Sequence, residues 1–262
     1  MANAADRQIP AVPGEAAPAV TTSVPGRRTG RPLFAHAVDP IRRRLDRLFP
    51  GLPDAIGLAR HRTAVRSIRA RHEIVREGET PVMVQAIGSG WAAFTRHFPD
   101  GRRQIQHLLV PGDLLCLDRR WPMFSTVQAL TPVTLVELER PFSPAGTMFD
   151  EAIRRSAALT FQHLLNATAR LGRQSAIERF AHLLLELRDR LAAVELGNDT
   201  HFEMPLTQEV LADTLGLTSV HVNRTLQAMR HQHMIQLHGR EVELLQADAL
   251  VVLADYQPVV AV

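Results

Sequence analysis

The stretch "LADTLGLTSVHVNRTLQAMR", Leu211–Arg230, carries the residue types and spacing of a nucleic-acid reader. Thr207 reads as the N-cap of a helix through "QEVLADTL", Gly216 ends that helix, and Thr218 or Ser219 caps the next. A small residue at Ala212 lets the two helices approach, and Val222 packs the second back on the first. Leu211, Leu215, Leu217 and Leu226 fill the core between them. On the second helix Val222, Thr225, Leu226 and Met229 share one arc, while Ser219, Val220, Asn223, Arg224 and Gln227 share the opposite arc. Short polar residues and one arginine near a helix N-terminus suit the major groove. Arg224 offers two donors to a guanine and Asn223 pairs with an adenine. Val220 meets a thymine methyl, and Gln227 completes the base-reading set. Thr218, Ser219 and His221 stand where phosphates would lie. "MIQLHGREVELL" then reads as two strands around His238-Gly239, the wing of a winged helix.

The charge of this region is an objection. Phe202 to Arg240 holds Arg224, Arg230 and Arg240 but also Glu203, Glu209 and Asp213. Such a segment needs two copies, helix-end contacts and arginines elsewhere to hold DNA. The whole chain has a formal charge of +3, with 30 basic residues, all arginine. Arginine lifts the isoelectric point to about 10.2, and a genome rich in G and C accounts for that usage as well as any partner does.

The elements that must position these residues are legible in outline. At 262 residues the chain has room for two domains. Residues 1–39, rich in Pro, Ala, Gly and Thr, read as a disordered tail. "PIRRRLDRLFPG" and "LPDAIGLARHR" read as short helices. From about Thr63 the period changes to short β-branched runs separated by Gly or Pro turns, with "PDG" at Pro99–Gly101 as a hairpin, so that residues 40–145 predict a β-roll. In 146–172 the residues Ile153, Ala157, Thr160, Leu164, Ala167 and Leu171 recur at alternating spacings of four and three. That is a coiled-coil seam joining two copies of the chain; an ordinary core helix is the alternative. Residues 173–262 form the DNA-binding unit. It opens with "SAIERFAHLLLELRDRLAA", where Ser175 and Glu178 make a capping box, and "LGNDT" ends that helix with glycine.

Other constellations are weaker. The one cysteine, Cys116, allows no internal disulfide and no iron–sulfur cluster built within one chain, and its apolar run "DLLCLD" favours an inert thiol over a redox one. His72, His97 and His107 lack the spacing of a cupin-like metal site, and His231, His233 and His238 suit surface or phosphate contacts. Trp91 and Trp121 read as core packing rather than a ligand pocket. No catalytic residues, metal or cofactor are expected. The absence of a signal peptide and of a long apolar run predicts a cytoplasmic protein with no membrane contact.

The order β-roll, long helix, winged helix resembles the Crp/Fnr superfamily of bacterial transcription regulators. The resemblance runs from about residue 41 to about 254. It is carried by "VREGE", "PDGRRQIQHLLVPGDLL", "LGRQSAIERFAHLLLELRDRL" and "PLTQEVLADTLGLTSVHVNRTLQAMR". The last two are similar to the FixK-like branch of α-proteobacteria. The resemblance implies an α+β fold with an N-terminal cyclic-nucleotide-binding-like jelly roll, a dimerisation helix and a C-terminal winged helix-turn-helix. It also implies a homodimer on palindromic promoter sites in double-stranded DNA, and contact with RNA polymerase. Two departures stand out. The cyclic-AMP-binding members hold the phosphate with a Gly-Glu pair after the "PGD" turn and an Arg-Ser pair before the next strand. Here those places hold Cys116-Leu117 and Met123-Phe124, with Arg119 and Arg120 nearby. Val220 stands where many relatives carry glutamate on the reading helix, whereas Arg224 matches. A regulator independent of cyclic AMP and of an iron–sulfur cluster is expected. The competing reading is a β-roll ligand-binding module that acts through protein partners, with a degenerate helix-turn-helix.

Overall fold

A computed structural model describes residues 31–58, 64–115 and 121–259, and the account below is of these residues. Helices α1 (Arg31–Leu48) and α2 (Leu52–Ala55) precede eight strands: β1 (Val65–Ile68), β2 (Glu73–Val75), β3 (Val84–Ser89), β4 (Ala92–His97), β5 (Arg103–Leu109), β6 (Leu114–Leu115), β7 (Thr126–Ala129) and β8 (Val133–Leu138). They form two four-stranded antiparallel sheets, ordered β1-β8-β3-β6 and β2-β7-β4-β5. Alternation along the strands sorts the side chains by face. Ala92 and Leu109 point between the sheets, with Ile87, Leu115, Val127 and Leu135. Their neighbours Ala93 and Leu108 point outward, with Ile105. The "PDG" turn closes β4 onto β5 as expected, with Gly101 at φ +84° and the Phe98 N–H donating to the Arg102 carbonyl at 2.8 Å.

The long helix α3 (Ala145–Arg173) has 29 residues, about 43 Å at 1.5 Å per residue. It leads into α4 (Ala176–Ala192), β9 (His201–Glu203), α5 (Gln208–Leu215), α6 (Ser219–His231), β10 (Ile235–His238), β11 (Glu241–Leu244) and α7 (Ala247–Ala254). The wing has three strands in the order β10-β11-β9, one more than the sequence predicts.

Two expectations need correction. The tail assigned to residues 1–39 ends sooner, because α1 already begins at Arg31 and runs through Pro40. A mid-helix proline costs about 3 kcal/mol, which is why Pro40 reads as a helix start. Against that cost, Val38, Ile41, Leu45 and Leu48 make one buried stripe at helical spacing against Val84 and Val136 of the sheet. The second correction concerns the end of α4. The helix stops at Ala192, the left-handed residue after it is Glu195 at φ +57°, and Gly197 bridges to Phe202 instead. A Cβ on Gly197 would lie 2.9 Å from the His201 carbonyl oxygen, so this glycine serves a close approach rather than a cap.

The β-roll and the winged helix share a core. Trp91, Ala93, Ile105, Leu108 and Val110 of the β-roll form one apolar cluster with Phe180, Leu184, Leu211, Leu215, Val222 and Leu226. Beside it lies a buried ionic chain. Arg44 of α1 reaches Asp113 at 3.1 Å, and Asp113 pairs with Arg190 of α4. Arg190 also donates to the Leu108 carbonyl at 2.7 Å and to Glu186 at 3.1 Å. Glu186 accepts in turn from Arg170 of α3 at 3.0 Å. Buried charges persist only when paired in this way, and removing one partner costs about 3–5 kcal/mol. Burial alone would raise the Glu186 carboxyl, but the guanidiniums of Arg170 and Arg190 hold it well below the carboxylate range.

His107 and His163 stack at 5.7 Å against this chain. Burial, reinforced by Arg190, pushes His107 from its ordinary 6.5 down to about 3 and His163 down to about 4. Both rings are therefore neutral in the folded protein near neutral pH. A folded pKa below the unfolded one stabilises above the unfolded value. That stabilisation is lost as pH falls toward the folded value, because the unfolded chain then binds more protons. The melting temperature is expected to drop as pH is lowered from about 6.5 toward about 4, with His163→Gln flattening the dependence. A wild-type melting temperature that stays constant across that window contradicts neutral buried imidazoles.

Candidate nucleic-acid interface

Helices α4, α5 and α6 each begin on the side chain the sequence promises. The Ser175 N–H donates to Glu178 at 2.7 Å in a capping box. Thr207 accepts from the Val210 N–H at 3.3 Å and Thr218 from the His221 N–H at 3.2 Å. Gly216 turns between α5 and α6 at φ +64°, a conformation that is strained for residues with a Cβ. Two supports of that turn have no local sequence signal. Arg179 of α4 donates to the Leu215 carbonyl at 2.9 Å, satisfying an orphan acceptor at the end of α5. The Leu171 side chain from α3 lies 3.2 Å from where a Cβ on Gly216 would stand.

The two arcs of α6 separate as expected. Val222, Thr225, Leu226 and Met229 are buried, with Thr225 donating to the His221 carbonyl at 2.9 Å. Ser219, Val220, Asn223, Arg224 and Gln227 are exposed, as are Thr218 and His221. Val220 is 65 % exposed. Among the described residues neither Asn223 nor Arg224 has an ion-pair or hydrogen-bond partner through its side chain, so both present their full donor set outward. Arg230 and His231 in the last turn of α6, and His233 just past it, continue the exposed surface. The acidic residues that weigh against DNA are partly accounted for. Asp213 turns away to pair with Arg103 of β5 at 2.7 Å, and Glu203 faces Arg240 at 4.0 Å.

The residues of the expected α3 seam divide between two environments. Ile153 is taken up by the core of its own chain, with Phe149 and Ala152, so those left outside that core begin at Ala157. Ala157 is exposed, and Thr160, Leu164, Ala167 and Leu171 are half-buried. Thr160 donates to the Ser156 carbonyl at 3.1 Å. The face turned to its own chain repeats every seven residues, at Phe149, Ser156, His163 and Arg170. Phe161 at 61 % and Leu165 at 53 % are the large apolar side chains that α3 leaves in water.

The β-roll raises the matter of a cyclic nucleotide. Such a ligand needs a cation and close backbone for its phosphate. Cys116-Leu117, Arg119 and Arg120 lie outside the described residues. Met123 and Phe124 supply no charge, and Phe124 is 79 % exposed. The space between the sheets is filled by Ile, Val, Leu and Ala side chains. His72 and His97 are exposed and His107 buried, so the three do not converge. Trp91 belongs to the core, whereas Trp121 is 60 % exposed, against expectation.

Comparison with known proteins agrees with this geometry. Residues 65–142 match the cyclic nucleotide-binding domain family and residues 178–253 the Crp-like helix-turn-helix domain family. The chain is 31 % identical over 182 residues to the transcriptional activator protein FnrL of Cereibacter sphaeroides, covering 67 % of this chain and 73 % of the relative. It is 34 % identical over 148 residues to the nitrogen fixation regulation protein FixK of Bradyrhizobium diazoefficiens, covering 54 % of this chain and 61 % of the relative. The solved structure of FixK2 from Bradyrhizobium japonicum superposes with a TM-score of 0.64 at 26 % identity, over 75 % of this chain and 99 % of that one. No described helix is long and apolar enough to cross a membrane. Fold, reading helix and relatives converge, and the chain belongs to the Crp/Fnr family of transcription regulators, in its FixK-like branch, with a helix-turn-helix DNA-binding domain.

Proposed function

We propose that the protein works as a cytoplasmic homodimer that binds a palindromic promoter site, reads it with α6, and presents the bound complex to RNA polymerase. Residues 40–145 act as a sensor or scaffold, 146–172 as the dimer helix and 173–262 as the reader. The observation that carries the reading is the outward arc of α6, exposed and free of partners at Asn223 and Arg224. In the major groove Val220, Asn223, Arg224 and Gln227 contact bases, while Thr218, Ser219 and His221 hold phosphates at the positive end of the helix. The dimer seam runs along Ala157, Thr160, Leu164, Ala167 and Leu171, widened by the exposed Phe161 and Leu165. Binding is independent of cyclic AMP and of an iron–sulfur cluster; the apolar interior of the β-roll and the single cysteine support this.

Two measurements test the reading. Arg224→Ala is expected to cost about 1–3 kcal/mol of binding and to relax preference at one base position. A loss that is uniform over all sequences makes Arg224 a phosphate contact instead. Replacing Leu164 or Leu165 with Glu is expected to shift the solution mass from dimer to monomer, because an unpaired carboxylate in an apolar seam is costly. An unchanged dimer mass in both variants places the interface elsewhere.

A further inference from the structure

The winged helix is joined to α3 through only Gln174 and Ser175, between Arg173 and Ala176. A connection that short fixes where the reader sits but leaves its rotation to contacts further away. The buried Asp113–Arg190 pair holds α4. A second contact reaches the helix-turn-helix itself, from the turn end of the β4–β5 hairpin. The Arg103 Nε donates to the Asp213 carboxylate on α5 at 2.8 Å, and the Gln104 amide donates to the Asp213 backbone carbonyl at 2.8 Å. One residue of α5 is thus gripped by both its side chain and its main chain. Arg103 is itself braced, since its Nη1 donates to the Gln128 side-chain oxygen of β7 at 3.1 Å. Gln128 in turn donates to the Arg71 carbonyl. The grip is anchored in the sheet rather than in solvent. Both charged side chains are only about one-fifth exposed, at 20 % and 22 %, where a pair is screened less than on an open surface.

Asp213 lies three residues before Gly216, and α5 is locked to α6 through Leu211, Leu215, Val222 and Leu226. A restraint on Asp213 is therefore passed rigidly to the reading helix. We infer that Arg103 and Gln104 are positioning residues for DNA reading: by gripping Asp213 they set the angle of α6 relative to α3, and so the separation of the two reading helices. With Asp213 gripped, the outward arc of α6 is exposed, and the inference includes that this state is the competent one. This inference rests on the homodimer reading above. A dimer whose readers are held at one separation discriminates sharply between half-site spacings; readers free to swing do not.

The test uses the full-length protein and a duplex carrying its selected palindrome. Companion duplexes have the half-sites one base pair closer or further apart, or one half-site only. Arg103→Gln is expected to keep the wild-type mass and single half-site affinity, to bind the palindrome about tenfold more weakly, and to lose most preference between spacings. Arg103→Asp is expected to do the same or worse, and Arg103→Asp with Asp213→Arg to restore the preference. Because the readout is a ratio between spacings, a uniform gain from the added charge on α5 does not move it. If Arg103→Gln fails to fold, Gln104→Ala, which removes the bond to the Asp213 main chain and a local one to the Ile105 carbonyl, is expected to narrow the same ratio. An unchanged spacing profile in the variants overturns the inference, as does an equal loss on the single half-site or a double exchange that restores nothing. A monomeric wild type, or one with no spacing preference, overturns the homodimer reading and this one with it.

Discussion

A guanidinium removed from water needs an anion or a carbonyl on each side it presents, and Arg190 finds its partners in two domains at once. Asp113 and the Leu108 carbonyl come from the β-roll, and Glu186 from its own helix. Through Asp113 the chain reaches α1, and through Glu186 it reaches α3. The ions sit beside an apolar cluster that runs without a break from the outer face of β4 and β5 into the helix-turn-helix. The charges contribute geometry more than affinity, since a buried pair roughly breaks even against well-packed apolar residues. What they hold is the placement of α4 between the β-roll and α3, because a shift of α4 strands a charge. The same shared core makes β5 the element from which Arg103 and Gln104 reach α5.

On that fixed base the reader needs few special residues. Two threonine caps and one left-handed glycine define α5, the turn and α6. The low charge of this segment loses its force as an objection. Asp213 is turned toward Arg103, and the apolar residues are the packing that holds Asn223 and Arg224 outward. In the proposed homodimer, affinity from such a surface comes from two copies and from helix-end contacts more than from a basic field.

Much of this was legible in sequence because it is local. Thr207, Gly216, Thr218 and the Ser175–Glu178 box act within four residues, and the 3.6-residue period sorts the arcs of α6. The "PDG" hairpin is likewise a short-range signal. The missed features depend on partners far along the chain. Asp113 and Arg190 are 77 residues apart and Arg103 and Asp213 are 110 apart, and no periodicity announces either pair. The stripe through Val38 overrode Pro40, a local breaker defeated by tertiary burial. Ile153 fits two apolar seams of α3 equally well by spacing, and only the packing of α1 and the sheet decides which one takes it.

The central claim is that two copies of α6 read two inverted half-sites. Selection of bound sequences from a random duplex pool with the purified full-length protein addresses it most directly. The account predicts enrichment of an inverted repeat whose half-sites are centred about one helical turn apart, roughly 34 Å. Enrichment of a single unrepeated motif, or of no sequence at all, would contradict it.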